Sequence, residues 1–146
     1  MRVTTVFVAA ALALGASLSL AASAAQEKEK TVWDGVYTDE QAKRGEAAYM
    51  QDCSGCHNTD LSGDGFAPSL TGTDFATAWS GTTVGDFYER IRVSMPPGGA
   101  DSVSNAAKAD IVAFILKYNR FPAGATELKD PADMKAIKIE AHKPGN

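Results

Sequence analysis

Five consecutive residues, Cys53-Ser54-Gly55-Cys56-His57, constrain this chain more than any other stretch. The spacing C-x-x-C-H is the attachment signature of a c-type haem. Two thiols three positions apart can each add across one vinyl group of the same porphyrin. The next residue then places an imidazole nitrogen on the iron. A bare C-x-x-C also serves in redox disulfides and as half of a zinc site. Zinc needs four ligands, and the chain holds no further Cys and one further His, His142. A redox dithiol of the thioredoxin kind needs a βαβ unit, and no such pattern occurs here. A structural disulfide between residues three apart leaves His57 without a role.

The start of the chain points to export. Residues 1–24 read as a secretory signal peptide, with Arg2 as a minimal basic start and an almost unbroken apolar run from Val6 to Leu20. Ala22-Ser23-Ala24 is the small-residue cleavage site, so the mature chain begins at Ala25, or one residue later at Gln26. The run is too short for a membrane span, and nothing later is long and apolar enough to be one. No Cys follows the cut to carry a lipid. Covalent haem attachment in bacteria takes place outside the cytoplasmic membrane, so C-x-x-C-H and export support each other and place the protein in the periplasm. The formal net charge of −4 becomes one unit more negative without Arg2. That balance argues against nucleic acid and anionic membranes as partners, and suits docking on a basic patch.

Residues 25–37 form an N-terminal extension. Its Glu/Lys-rich start, Gln26 to Thr31, reads as a solvated linker. Trp33 and Tyr37, which flank Asp34-Gly35, are expected to pack back onto the domain. The domain itself spans 38–120. Thr38 and Gln41 make a capping box for a first helix, on which Ala42, Gly45, Tyr49 and Cys53 share one face. Asn58 to Gly81 is rich in Gly, Asp, Ser and Thr and reads as loop. Within it, Asp60-x-Ser62-x-Asp64-Gly65 copies half of a calcium loop, but Thr71 stands where a bidentate Glu is required, so turn chemistry is the reading. A second helix is expected from Val84 to Val93, capped by Thr83 and Asp86. Met95-Pro96-Pro97-Gly98-Gly99 breaks it. The last helix runs from Asn105 to Tyr118 behind Ser104, with Ala107, Ile111, Phe114, Ile115 and Tyr118 along one side. Residues 121–146 form a tail with enough apolar anchors to lie on the domain. No alternation supports a strand. The cysteine pair occurs once, which means one covalent haem c.

This order of helix, C-x-x-C-H, Pro loop, helix, Met-Pro and aromatic-bearing helix resembles a class I monohaem c-type cytochrome. The narrower similarity is to the small cytochromes c and cytochrome c domains associated with periplasmic quinoprotein dehydrogenases. It rests on Val32-Trp33-Asp34-Gly35-Val36-Tyr37-Thr38, on Val84-Gly85-Asp86 with Arg90-Ile91-Arg92, and on Phe121-Pro122-Ala123-Gly124. The resemblance implies an all-α fold, three main helices and loops wrapped around one covalent haem. It implies that Gly45 and Tyr49 meet Ile111 and Phe114 where the first and last helices cross. The Pro68 carbonyl would accept the free ring N–H of His57, Leu70 would pack on the haem, and Trp79, in a polar loop, would give its indole N–H to a propionate. Arg90 or Arg92 would either neutralise propionates or form a solvated helix face.

Three methionines follow the cleavage site. Met50 sits one turn before Cys53, on the wrong side to reach the iron, and Met134 lies in the tail. Met95, held in a rigid Met-Pro-Pro turn, is the expected sixth ligand opposite His57, with His142 as its rival. Such a protein is expected to carry electrons and not to be an enzyme. Its donor and acceptor would be redox proteins, a dehydrogenase and an oxidase or other respiratory component. A permanent haem subunit of a dehydrogenase and a gas-binding haem protein are the alternatives.

Overall fold

Helix α1 (Asp39–Asp52) starts where the Thr38 hydroxyl accepts the Gln41 N–H, and α5 (Asn105–Tyr118) starts where Ser104 accepts the Ala107 N–H. The two cross at Gly45 in a computed structural model that describes residues 29–145. The expected signal peptide lies outside those residues. A Cβ on Gly45 would fall inside the Asp110 carbonyl and 2.9 Å from the Ile111 nitrogen. That backbone approach explains a mid-helix glycine, which costs about 1 kcal/mol against alanine. The partner of Gly45 is therefore the Asp110–Ile111 peptide and not the Phe114 ring. Phe114 packs on Tyr49 instead, ring centroids 5.2 Å apart. Arg44 closes the crossing from outside through Asp110 and Glu127.

Helix α5 is not the one-sided helix its sequence suggests. Every residue from Lys108 to Leu116 except Asp110 is buried, whereas Ala107 is half-buried and Tyr118 exposed. A helix covered on all sides is a central element. Helix α1 covers one side of it, and α4 (Val84–Ser94) packs on another. Helix α4 carries a complete capping box, with Thr83 and Asp86 each bonded to the other's backbone.

Gln41 corrects a second expectation. It accepts no capping role beyond its own N–H. Its side chain is 1 % exposed and grips the tail, Oε1 taking the Leu128 N–H and Nε2 donating to the Leu128 carbonyl, each at 2.8 Å. Gln41→Ala should leave two buried backbone groups unpaired and cost about 2–4 kcal/mol. Chemical denaturation monitored by circular dichroism checks this, and an unchanged midpoint would contradict it.

The N-terminal extension and the C-terminal tail are tied to each other. Strand β1 (Lys30–Thr31) pairs in parallel with β2 (Ile137–Lys138), a contact of two residues each. Two residues give no alternation, which is why the sequence shows no strand. Trp33 meets the Phe121 ring edge-on at 5.0 Å and gives its indole N–H to the Glu140 carbonyl at 2.9 Å. Tyr37 gives its hydroxyl to the Phe121 carbonyl. At Gly124 a Cβ would run into the backbone of Gly35, so only glycine lets these two segments touch. Phe121, Leu128, Met134, Ile137 and Ile139 are all buried, Met134 on the short helix α6 (Pro131–Lys135).

Asn58 to Gly81 is not all loop. It contains helix α3 (Gly72–Trp79). Thr71 makes no side-chain cap; the Gly72 N–H is taken instead by Asn119 Oδ1 at 3.0 Å, from the end of α5. A cap supplied from 47 residues away leaves no local signal to read.

Candidate functional site

Helix α1 delivers the C-x-x-C-H segment. The Cys53 N–H still bonds to Tyr49 O, and the Cys56 and His57 N–H groups then turn onto Cys53 O, making the single turn α2 (Ser54–His57). The Tyr49 hydroxyl donates to Asn58 O at 2.8 Å and pins the backbone that leaves His57. Burial pushes the Tyr49 phenol well above its ordinary range.

His57 is buried, and its Nδ1 lies 2.9 Å from the Pro68 carbonyl. A carbonyl only accepts, so Nδ1 carries the hydrogen and Nε2 keeps the lone pair for a metal. The Pro68 segment is itself held. Asp64 Oδ1 accepts from the Phe66 and Ala67 N–H groups, and Leu70 N donates to Leu61 O at 2.8 Å. Those backbone donors hold the Asp64 carboxyl below its usual range. Asp60 makes the same kind of turn with the Ser62 N–H. Both carboxylates thus do turn chemistry, and among the described residues no group of three or more His, Cys, Asp or Glu could hold a metal ion.

Cys53, Cys56 and His57 line one side of a cavity of about 670 Å³. Leu70, Trp79, Phe87, Ile91, Ile111 and Ile115 supply its apolar walls. Met95 also lines it. It caps α4, its N–H on Ile91 O at 3.0 Å, and is joined to Pro96 by a cis peptide bond. The rival donors lie elsewhere: Met134 is in the core, and Met50 and His142 are exposed and do not line the cavity.

Trp79 stands at the end of α3 and not in a loop. It packs edge-on against Phe87 at 4.6 Å, and its indole N–H has no partner among the described residues. Arg90 is exposed and lines the cavity, whereas Arg92 folds along α4 onto Glu89. Two further lining residues have no place in the sequence reading. Phe66 is wholly exposed at the cavity, and its one signal is an aromatic ring alone in a Gly/Asp-rich loop. Lys108 is 2 % exposed, and a lone Lys on a helix ordinarily reads as a solvated one.

The Cys53 thiol does not suit redox cycling. Burial, followed by Asp52 and Cys56, pushes the Cys53 thiol up to about 11. A redox-active C-x-x-C needs the opposite shift, because the thiolate is the nucleophile.

A family model described as cytochrome c oxidase, cbb3-type, subunit III matches residues 40–115, the stretch that holds every wall of this cavity from Tyr49 to Ile115. The chain belongs to that family. No curated protein sequence matches it. Among solved structures it is similar to the sulfane dehydrogenase SoxCD from Paracoccus pantotrophus, at 21% identity and a TM-score of 0.51. The likeness covers 88% of this chain and 73% of that one, and it concerns the fold. The chain is a c-type cytochrome with the all-α class I fold, and the family implies haem c. The cavity fits that group: two thiols, an imidazole with its metal-binding nitrogen left open, and a thioether share one apolar enclosure. Among the described residues no helix is long and apolar enough to cross a membrane.

Proposed function

We propose that this protein is a periplasmic electron carrier. Cys53 and Cys56 would hold one haem c through thioethers, and His57 and Met95 would supply the two protein donors to its iron. The observation that carries the reading is the convergence of these four side chains on one apolar cavity, with His57 Nδ1 already engaged by Pro68. Haem c supplies one-electron exchange between ferric and ferrous iron.

The rest is done by the chain. The Pro68 carbonyl fixes the imidazole and strengthens it as a donor. Leu70, Phe87, Ile91, Ile111 and Ile115 keep water and its high dielectric away. Trp79 offers its indole N–H, and Arg90 its charge, to propionates, neither having a partner among the described residues. With His57 and Met95 both engaged by the iron, no position would be left for a substrate, so the protein would act as a carrier and not as a catalyst. Its donor is a periplasmic dehydrogenase of the quinoprotein type, and its acceptor an oxidase or another respiratory component. Its acidic surface suits a basic docking patch on either.

A second reading, a permanent haem subunit, is favoured by the company the chain keeps. The matching family is described by an oxidase subunit, and the similar solved structure is that of a dehydrogenase. Purification from the native periplasm separates the two: a free carrier elutes alone, and a subunit brings its enzyme with it. Carbon monoxide separates both from a gas-binding protein. The ferrous wild type is expected to keep its spectrum under carbon monoxide at neutral pH. Immediate formation of a carbon monoxide adduct would contradict the carrier reading.

A further inference from the structure

Helix α4 ends, like any α-helix, with carbonyls that its own turns do not meet and that need a partner from beyond it. The partner for the Arg92 carbonyl would be the N–H of residue 96, and Pro96 has none. Lys108, reaching from α5, fills that position with its Nζ 2.9 Å from Arg92 O. The same Nζ lies 2.6 Å from Ala100 O. Arg92 stands three residues before Met95 and Ala100 five after it. One buried amine therefore joins the two ends of the segment that presents the thioether. No carboxylate pairs with Lys108 among the described residues; its two hydrogen bonds both go to the ends of this segment, and it lines the same cavity as Met95.

A buried amine is costly unless it is hydrogen-bonded, and both carbonyls that satisfy Lys108 belong to the segment around Met95. We infer that Lys108 is the positioning residue for the Met95 ligand. Its two hydrogen bonds replace the backbone bond that Pro96 abolishes and clamp the Met-Pro-Pro-Gly-Gly segment shut. They hold the Met95 sulfur in place when the iron changes charge. A clamped thioether resists displacement by other ligands, and a cation in the cavity wall favours the ferrous state.

This inference rests on Met95 as the axial ligand, and the experiment separates the two. Oxidised holoprotein is prepared as wild type, Met95→Ala, Lys108→Met and Lys108→Gln, with Gln41→Ala as a control for stability lost far from the segment. The far-red Met–ferric band, the affinity for imidazole and the midpoint potential are measured in each. Lys108→Met should lose much of the band, bind imidazole at least tenfold more tightly than wild type and have a lower potential. Lys108→Gln, which keeps a donor but no charge, should fall between. Gln41→Ala should lower the melting temperature and leave band and imidazole affinity unchanged. If wild type lacks the band, the Met95 assignment fails. If wild type shows it and Met95→Ala does not, but both Lys108 variants keep it with imidazole affinity within twofold of wild type, the clamp alone is overturned. Should Lys108→Met not accumulate, Lys108→Gln decides by the same criteria.

Discussion

Met95→Ala is expected to lose, when oxidised, the weak far-red charge-transfer band of a Met–ferric bond and to bind imidazole readily, to take up carbon monoxide when reduced, and to have a lower midpoint potential. Met/His ligation favours the ferrous state, so removing the thioether removes that preference. The fall should be a sizeable part of the roughly 0.8 V range over which axial ligands set haem potentials. Few other single changes here should move the potential as far, because among the described residues no other methionine lines the cavity. Optical spectra and a potentiometric titration check both effects. A band that survives in Met95→Ala would assign the ligand elsewhere, and the exposed His142 would return to consideration.

Gly45→Leu is expected to have the largest effect on stability. Replacing a mid-helix glycine gains about 1 kcal/mol in helix propensity. Against that, even the first added carbon collides with the Asp110 carbonyl, which is backbone and cannot swing aside. The α1–α5 crossing must open, and Tyr49, the Phe114 ring and the α2 turn move with it. Overpacking at side chains costs about 1–3 kcal/mol. Here the obstacle is a helix backbone, so a net loss above about 3 kcal/mol is expected, with little holoprotein recovered. Thermal melts of whatever folds test this, and an unchanged melting temperature would refute the crossing. Gly45→Ala should show the same sign at a smaller size, which separates backbone collision from loss of a flexible glycine.

Much of the fold was legible because its signals are local. Thr38, Thr83 and Ser104 each cap a helix from within the same turn, and the Pro-Pro-Gly-Gly run stops α4 one residue beyond the expected Val93. The C-x-x-C-H segment announces its chemistry in five residues. What stayed hidden depends on partners far away in the chain. Helix α3 is capped by Asn119, Gln41 holds Leu128, and β1 finds β2 across the whole domain. The loop-like composition around Trp79 conceals its helix for the same reason. Lys108 could not be read at all: its role appears only when Pro96, in another element, leaves a carbonyl unmet. Local rules find helices and ligand motifs, whereas long-range hydrogen bonds fix the segments that support them.

After export this chain is expected to carry one covalently attached haem c. Intact-mass measurement of the denatured protein, purified from the periplasm, tests it most directly. The expected mass is that of a polypeptide beginning at Ala25 or Gln26 plus a single haem, and the band should stain for haem on a denaturing gel. A mass equal to the bare polypeptide, or a haem-bearing form that retains Met1, would contradict the account.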